Sequence, residues 1–163
     1  MEVEAAVFDA IRHVTDDGIV VVEAAGNGGH DLDAFVDGAN RHVLDRGSNG
    51  FRDSGAIMVA AGSSTAPHTR LTFSCHGGRI DCFGWGQNVD TTGDGWTGNL
   101  TSTYTMGFDG TSSASPIVAG AAVLLRVLAS QPAQAVQPGD RSRIVELERA
   151  IPRAPIPRPM ASA

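Results

Sequence analysis

The sequence predicts an α/β fold with a mainly parallel sheet and helices on both faces. One observation is an amphipathic helical pattern followed at once by an uninterrupted β-branched run, residues 19–22. A second is another continuous apolar run, residues 56–61, bracketed by glycines. Strands that are apolar without alternation are typical of parallel sheets covered on both faces, and helices alternating with such strands define the α/β class.

The first element is predicted to be a helix that ends close to Gly18. Apolar side chains recur along it every three or four residues, which places one apolar stripe on one face: Val3, Val7, Ile11 and Val14. Gly18 follows two aspartates. A glycine in this position suits the left-handed conformation that commonly ends a helix.

Three apolar runs are predicted to be strands. The first covers residues 19–22, and a glycine-rich loop follows from Gly26. The second covers residues 56–61, and a third, shorter candidate covers residues 80–83. The segment 88–110 is dense in Gly, Thr, Asn and Asp, so it is predicted to be mostly loop.

A second helix is predicted to start at Ser112 and to continue through residues 117–129, which are apolar on most of the helical circumference and therefore expected to be buried. Asp140 is suited to cap a last helix. Nineteen of the twenty glycines precede residue 121, and six of the eight prolines follow residue 130. We therefore divide the chain into a globular part, residues 1–129, and a part with a linker, a last helix and a Pro-rich tail, residues 130–163.

Charge and hydropathy exclude several classes of protein. Twelve arginines and no lysine stand against eighteen acids, for a net charge of −6, so no basic surface for nucleic acid is expected. The apolar stretch 117–125 is followed by Arg126 and is too short for a membrane span. The first ten residues carry acids where a secretory signal carries positive charge. An extracellular location is expected if a signal peptide lies upstream in the full-length protein.

Cys75 and Cys82 are separated by six residues. A structural zinc site would need two further ligands, and only His76 lies beside a cysteine. A short disulfide in an oxidising compartment and two free thiols are the alternatives. We predict no metal site, although aspartates in the segments 31–37 and 90–95 raise calcium as an alternative. Neither segment matches an EF-hand loop.

Two residues are candidates for chemistry. Ser112 opens the second helix, and Asn27 follows the first strand. The first backbone N–H groups of a helix have no intrahelical partner, and the helix dipole favours negative charge there. An oxyanion formed by attack of Ser112 on a carbonyl would meet the Ser112 N–H, with the Asn27 amide as a second donor. Each residue alone also fits a structural role, as a helix cap or a turn residue.

Together these segments resemble a known family. GTSSASPIVAG, residues 110–120, resembles the nucleophile segment of the subtilisin-like serine proteases, the subtilases. GIVVVEAAGN, residues 18–27, is similar to the strand and oxyanion loop of that family, and it lies in the right order. GAIMVAAGSS (residues 55–64) and LTFSCHGGRIDCFGWGQNV (residues 71–89) resemble the segments that follow. The resemblance implies that residues 1–129 are the C-terminal part of a subtilase catalytic domain, with an incomplete subtilisin-like fold.

The resemblance also implies roles for individual residues. Ser112 would be the nucleophile that forms an acyl-enzyme with a polypeptide substrate, and Asn27 would donate into the oxyanion hole. Four residues would contact the substrate: Ala24, Ala25, Gly26 and Thr111. No cofactor is implied.

The other two members of the catalytic triad are missing from the sequence. The family has the chain order Asp, His, Ser, and neither its Asp-(Ser/Thr)-Gly nor its His-Gly-Thr-His context precedes Ser112. Asp53-Ser54-Gly55 has the right letters but follows the oxyanion loop, so it is predicted to be a turn. His30 lies three residues after Asn27 and is a candidate substitute base.

We therefore expect the isolated chain to be inactive, to expose apolar surface and to associate with the missing N-terminal half of the domain. The alternative is a catalytically dead, truncated remnant that acts as a binding or pairing module.

Overall fold

The structure is a computed structural model that describes residues 2–93 and 103–130. The predicted last helix and the Pro-rich tail lie outside the described residues. The elements in chain order are α1 (Ala5–Asp16), β1 (Val22–Ala24), β2 (Ile57–Gly62), β3 (Cys82–Trp85), β4 (Val89–Thr92), β5 (Tyr104–Phe108) and α2 (Thr111–Ser130).

The predicted end of α1 is confirmed. Gly18 has φ +80°, the left-handed conformation expected of it. Its N–H donates to the Thr15 carbonyl, and the next N–H, from Ile19, donates to the Val14 carbonyl. Hydrogen bonds from the side chains of Arg12 and Thr15 to the carbonyls of Asp53 and Ser54 attach α1 to the turn that precedes β2.

The predicted parallel sheet is confirmed. β2 lies in the middle, with β1 and β3 parallel to it on either side. One face of the sheet packs on the main core, and α2 lies against the other face. The core cluster consists of Ala25, Leu32, Val43, Leu44, Met58, Ala60 and Cys75. β2 is buried because it has strands on both sides and packed atoms on both faces.

Two expectations about the outer elements are wrong. Ile19 and Val20 are 56% and 48% exposed rather than covered on both faces, because they precede β1 at an edge of the sheet. The described residues of the segment 88–110 are not mostly loop, since β4 and β5 pair in an antiparallel arrangement. Its Gly, Asn and Asp residues disfavour a strand locally, but the pairing of the two backbones overrides that preference.

The expectation that α2 is buried is also wrong. Its first turn is buried at Ser113 and Ala114, whereas Val123 and Leu124 further along are 63% and 65% exposed. Burial of a helix depends on what lies on both sides of it, and the described residues cover only the side that faces the sheet.

By length and mean hydropathy (1.6), the stretch Thr111–Ala129 is long and apolar enough to cross a membrane. This stretch is longer than the segment 117–125 on which the membrane span was excluded, because the helix begins at Thr111 and continues beyond Arg126. The contacts of α2 are nevertheless those of a helix on a sheet, since it packs against β1, β2 and β3. Arg126 also donates a hydrogen bond to the Gly18 carbonyl at 2.8 Å.

A buried ionic network joins the N-terminal segment to the sheet. Arg79 is fully buried and donates to Glu2 at 2.5 Å, to Asp81 at 2.7 Å and to the Ala56 carbonyl at 2.9 Å. Ser54 donates to the second oxygen of Glu2. Removing one partner would leave a buried charge uncompensated, which is strongly destabilising, so this network holds residues distant in sequence together.

Glu23 on β1 lies close enough to Glu2 and Arg79 to feel their charges, but one oxygen of its carboxylate has no hydrogen-bond partner. Its Oε2 atom is buried and has no hydrogen-bond partner. Burial, and then the charge of Glu2, raise the pKa of the Glu23 carboxyl above its ordinary value. The folded protein therefore holds this proton more tightly than the unfolded chain does, and stability falls as the pH rises through the raised pKa.

We predict that Glu23→Gln stabilises the protein at neutral pH by at most about 1 kcal/mol, because it removes the charge of a half-buried carboxylate whose Oε2 atom is unpaired, and because solvent screens part of that charge. The gain should shrink as the pH is lowered, since the glutamate of the parent protein is then protonated. Thermal unfolding of both proteins across pH measures this. Asp9→Asn on the exposed face of α1 is the control, and an equal gain at all pH values would contradict the prediction.

Candidate active site

The loop after β1 brings Asn27 to the carboxyl edge of the sheet. The Ala25 N–H donates to the Val59 carbonyl at 2.9 Å, which keeps the backbone on β2 for one residue beyond the strand. Gly26 then turns with φ +100°, and its carbonyl accepts the Cys75 N–H at 3.0 Å. The turn leaves the Asn27 side chain exposed.

The start of α2 is fixed at the same edge. Gly110 precedes the helix with φ +114°, and its N–H donates to the Gly86 carbonyl at 2.9 Å. Both the N–H and the hydroxyl of Ser113 donate to the Gly110 carbonyl, at 3.1 and 2.9 Å. Thr111 and Ser113 are buried, while Ser112 between them is exposed. The helix start therefore presents Ser112 to solvent.

Thr111 and Asn27 are hydrogen-bonded across 84 positions of sequence. The backbone N–H and the hydroxyl of Thr111 both donate to Asn27 Oδ1 at 2.9 Å. The Thr111 hydroxyl oxygen in turn accepts the Gly26 N–H at 3.2 Å. Because a backbone N–H only donates, the amide atom that faces it must be the oxygen. The Nδ2 group of Asn27 is therefore directed elsewhere.

Two hydrogen-bond donors at the start of α2 remain without an acceptor among the described residues. The N–H groups of Thr111 and Ser113 are used, whereas in residues 2–93 and 103–130 neither the Ser112 N–H nor Asn27 Nδ2 has an acceptor. A Cβ atom built on Gly110 would lie 3.2 Å from Asn27 Nδ2 and 3.6 Å from the Ser112 nitrogen. Both nitrogen atoms thus lie beside Gly110, at the start of α2.

No histidine of the described residues is hydrogen-bonded to Ser112. The ring of His30 lies over Gly28, where a Cβ atom would approach its Cδ2 to 2.5 Å. Others have partners elsewhere: His42 with the Asp33 carbonyl, His68 with the Ser63 carbonyl and His76 near Asp31. The hypothesis that His30 is a substitute base finds no support in these contacts.

The residues expected to contact substrate do not all face one cleft. Ala24 and Gly26 are partly exposed, but the Ala25 side chain is fully buried in the core cluster. Thr111 is only 1% exposed and its hydroxyl is bonded to Asn27. The polar atoms of Thr111 therefore have partners that orient the Asn27 amide. Contact of these four residues with substrate stays a prediction.

Both cysteines are free thiols, so the disulfide alternative is wrong. Cys75 is buried, and burial, with the charge of Asp81, raises the pKa of Cys82 to about 11. Within the described part of the chain, no three or more His, Cys, Asp or Glu residues form a group able to hold a metal ion. Asp37 is instead bonded to Arg41, which lowers the pKa of that carboxyl to about 2.

Two glycines of β3 and its end are necessary to this site, and the sequence analysis assigned them no role. A Cβ atom on Gly84 would lie 2.5 Å from the Ala114 carbonyl oxygen. Gly86 packs against Ala61 and accepts the hydrogen bond from Gly110. The Gly-Trp-Gly sequence at the end of an apolar run could have predicted this role, since glycine in a strand often marks the close approach of another backbone.

Comparison with known proteins gives a consistent result. The sequence model described as the subtilase family matches residues 2–138. The chain is 31% identical over 124 residues to alkaline elastase YaB of Bacillus sp. (strain YaB), covering 75% of this chain and 26% of that protein. It is 33% identical over 121 residues to subtilisin-like protease 2 of Pseudogymnoascus destructans, covering 74% and 25%. It is 32% identical over 122 residues to subtilisin Savinase of Lederbergia lenta, covering 75% and 37%. The match therefore spans between about a quarter and somewhat over a third of the length of these relatives.

We predict that Gly110→Ala damages the site more than its small size suggests. The backbone at φ +114° disfavours a side chain, at a cost of roughly 1–3 kcal/mol, and the new methyl group would lie 3.2 Å from Asn27 Nδ2. Urea unfolding and the side-chain amide resonances of Asn27 measure the two effects. Gly120→Ala, which has open space on α2, is the control and should be neutral or stabilising.

A second prediction concerns Thr111. Thr111→Val keeps the shape of the side chain but removes the hydroxyl that bonds Asn27 and Gly26, so it should cost about 1 kcal/mol and increase solvent exchange of the Asn27 amide. Thr111→Ser keeps the hydroxyl and should preserve the amide environment. Equal amide spectra for the two variants would contradict a positioning role.

Proposed function

Since the chain belongs to the subtilase family of peptidases, we propose that it is the nucleophile-bearing part of a serine endopeptidase, with Ser112 as nucleophile and Asn27 as oxyanion donor. The observation that carries this proposal is that the hydrogen bonds from Thr111 occupy Asn27 Oδ1 and leave Asn27 Nδ2 as a donor beside Gly110, next to the N–H of the exposed Ser112. Ala24 and Gly26, beside these donors, are proposed to line the substrate cleft.

In the proposed reaction, Ser112 Oγ attacks the carbonyl carbon of a peptide bond and loses its proton to a base. The carbonyl oxygen becomes an oxyanion and accepts hydrogen bonds from the Ser112 N–H and Asn27 Nδ2. The C–N bond then breaks, the departing amine takes the proton, and an ester on Ser112 remains. Water hydrolyses this ester by the same steps in reverse order and regenerates the serine.

The base is proposed to come from polypeptide outside these 163 residues. A serine hydroxyl is a weak nucleophile at neutral pH unless a base lies beside it. The family order places Asp and His before Ser, and the contexts that carry them are not found before Ser112. The upstream part of the domain is therefore the proposed partner, and the reaction requires no cofactor. Where a signal peptide precedes it, the whole protein is proposed to be extracellular.

The first experiment compares labelling of Ser112 by a fluorophosphonate in two samples. The chain alone should react slowly, because the base is missing. The chain combined with the upstream part of subtilisin Savinase should react fast and hydrolyse peptides, and Ser112→Ala should abolish both. Rapid labelling of the chain alone would contradict the dependence on an outside base. A combined sample that remains unreactive would contradict the endopeptidase proposal.

We predict that Asn27→Asp lowers kcat in the combined sample by about 10²–10³, the loss found when one oxyanion donor of subtilisin is removed. The carboxylate still accepts the hydrogen bonds from Thr111, but it cannot donate to the oxyanion, which it also repels. Asn49→Asp in an exposed turn is the matched control. An equal loss in both variants would point to a general charge effect.

A second candidate function is a catalytically dead remnant that acts as a pairing module. It is favoured by the exposed apolar side chains of α2 and by the lack of a histidine bonded to Ser112 among the described residues. This candidate predicts association with the upstream polypeptide but no reactivity of Ser112 in the combined sample.

A further inference from the structure

Asn27 is followed in the chain by a glycine. The sequence contains two Asn-Gly dipeptides, Asn27-Gly28 and Asn49-Gly50, and both asparagines are exposed. In such a dipeptide the backbone nitrogen of the glycine can attack the side-chain carbonyl carbon of the asparagine, because glycine has no side chain to block the approach. The products are a cyclic imide and ammonia, and water then opens the imide to aspartate or isoaspartate. The surroundings of each dipeptide therefore determine how fast it is modified.

The attacking nitrogen is engaged at Gly50 and free at Gly28. The Gly50 N–H donates to Ser48 Oγ at 3.0 Å, whereas the Gly28 N–H has no acceptor in the described part of the chain. The loop around Gly28 is nevertheless held in place, since the Gly29 N–H donates to the Phe73 carbonyl at 2.7 Å. Of the two dipeptides, the one that contains Gly28 therefore presents a nitrogen that no hydrogen bond to a described residue restrains.

The side-chain carbonyl of Asn27 is polarised by two hydrogen-bond donors. The backbone N–H and the hydroxyl of Thr111 both donate to Asn27 Oδ1 at 2.9 Å. When a nucleophile adds to Asn27 Cγ, negative charge develops on Oδ1, and donors that already point at this oxygen stabilise the charge. Among the described residues, the Asn49 amide has no donor of this kind. The contacts that orient the Asn27 amide thus also activate it.

The ring of His30 lies over Gly28. A Cβ atom built on Gly28 would lie 2.5 Å from His30 Cδ2 and 2.7 Å from His30 Nε2. Since a Cβ atom is only two covalent bonds from its own backbone nitrogen, His30 Nε2 is in position to reach the Gly28 N–H directly or through one water molecule. Neither ring nitrogen of His30 has a hydrogen-bond partner within the described residues. An imidazole placed in this way is suited to be a base for the Gly28 proton.

We propose that the backbone nitrogen of Gly28 attacks the Asn27 amide, so that Asn27 is a site of self-catalysed deamidation. His30 Nε2 takes the Gly28 proton, the Gly28 nitrogen bonds to Asn27 Cγ, and the charge on Oδ1 is stabilised by the donors of Thr111. The bond from Cγ to Nδ2 then breaks, and the NH₂ group takes up one proton and leaves as ammonia. One water molecule opens the imide to aspartate or isoaspartate.

This modification removes a donor from the proposed active site. Aspartate has a carboxylate oxygen where Asn27 has its NH₂ group, and isoaspartate also adds one atom to the backbone of the loop. Neither product donates to an oxyanion, so the proposed peptidase should lose activity at the rate at which Asn27 is converted. This consequence rests on the proposed function, whereas the modification itself does not.

The test incubates the full chain in mildly alkaline buffer and follows both asparagines by peptide mass spectrometry, with isoaspartate detected by an isoaspartyl methyltransferase. We expect Asn27 to be converted at least about tenfold faster than Asn49, because one hydrogen bond to a charged oxygen is equivalent to about that factor in rate. In urea, where the tertiary contacts are lost, the two rates should become similar. Equal rates in the folded chain, or faster conversion of Asn49, would overturn the proposal.

Variants identify the groups that act on Asn27. His30→Gln should slow its conversion about tenfold, somewhat less than a positioned base usually contributes, because His30 is exposed to solvent. Thr111→Val should also slow it, whereas Thr111→Ser keeps the hydroxyl and should not. The rate at Asn49 should be unchanged in all three variants, which makes it the internal control. An unchanged rate in His30→Gln, or faster conversion in Thr111→Val, would contradict the proposed mechanism.

The effect on activity is measured in the chain combined with the upstream part of subtilisin Savinase. Peptidase activity, relative to its starting value, should decline in step with the conversion of Asn27 and more slowly in His30→Gln. Activity that persists after Asn27 is fully converted would refute self-inactivation. A combined sample that never hydrolyses peptides would refute the endopeptidase proposal, while the mass measurements on the chain alone would still decide whether Asn27 is modified.

Discussion

Two hydrogen bonds from Thr111 to the side-chain oxygen of Asn27 join the loop after β1 to the start of α2. They satisfy a helix N–H that would otherwise lack a partner, and they fix the amide so that its NH₂ group is directed away from Thr111. The exposed position of Ser112 follows, because its neighbours Thr111 and Ser113 are both tied down. Asn27 Nδ2 keeps its place beside the Ser112 N–H only while the hydrogen bonds from Thr111 to Asn27 Oδ1 are formed.

The hydrogen bonds between Thr111 and Asn27 depend on how closely α2 approaches the sheet. At Gly84 a methyl group would collide with the Ala114 carbonyl, and at Gly86 it would collide with Ala61. The absence of a side chain at Gly84 lets the first turn of the helix rest directly on the backbone of β3, and its absence at Gly86 lets the chain pass close to Ala61 of β2. Gly110 completes this arrangement, since its positive φ angle turns the chain from the Gly86 contact into the helix.

The two sides of the molecule differ in how complete their packing is. On the core side, apolar residues from the sheet and loops are fully buried, and the buried ion pair between Arg79 and Glu2 is satisfied by further hydrogen bonds. Elsewhere, Ile19 and Val20 before β1 and Val123 and Leu124 on α2 are exposed. Within the described residues, packing is therefore dense in the core and open along much of α2.

The sequence by itself determined α1 with its Gly18 cap, the parallel strands, the family, and Ser112 and Asn27 as candidates, because periodicity, turn residues and short motifs are local properties of the chain. Only the tertiary structure decided that Thr111 orients the amide, that the described residues of the segment 88–110 pair as antiparallel strands, and that α2 is exposed along much of its length. These features are contacts between residues far apart in sequence, or depend on what covers a surface. No local pattern specifies either.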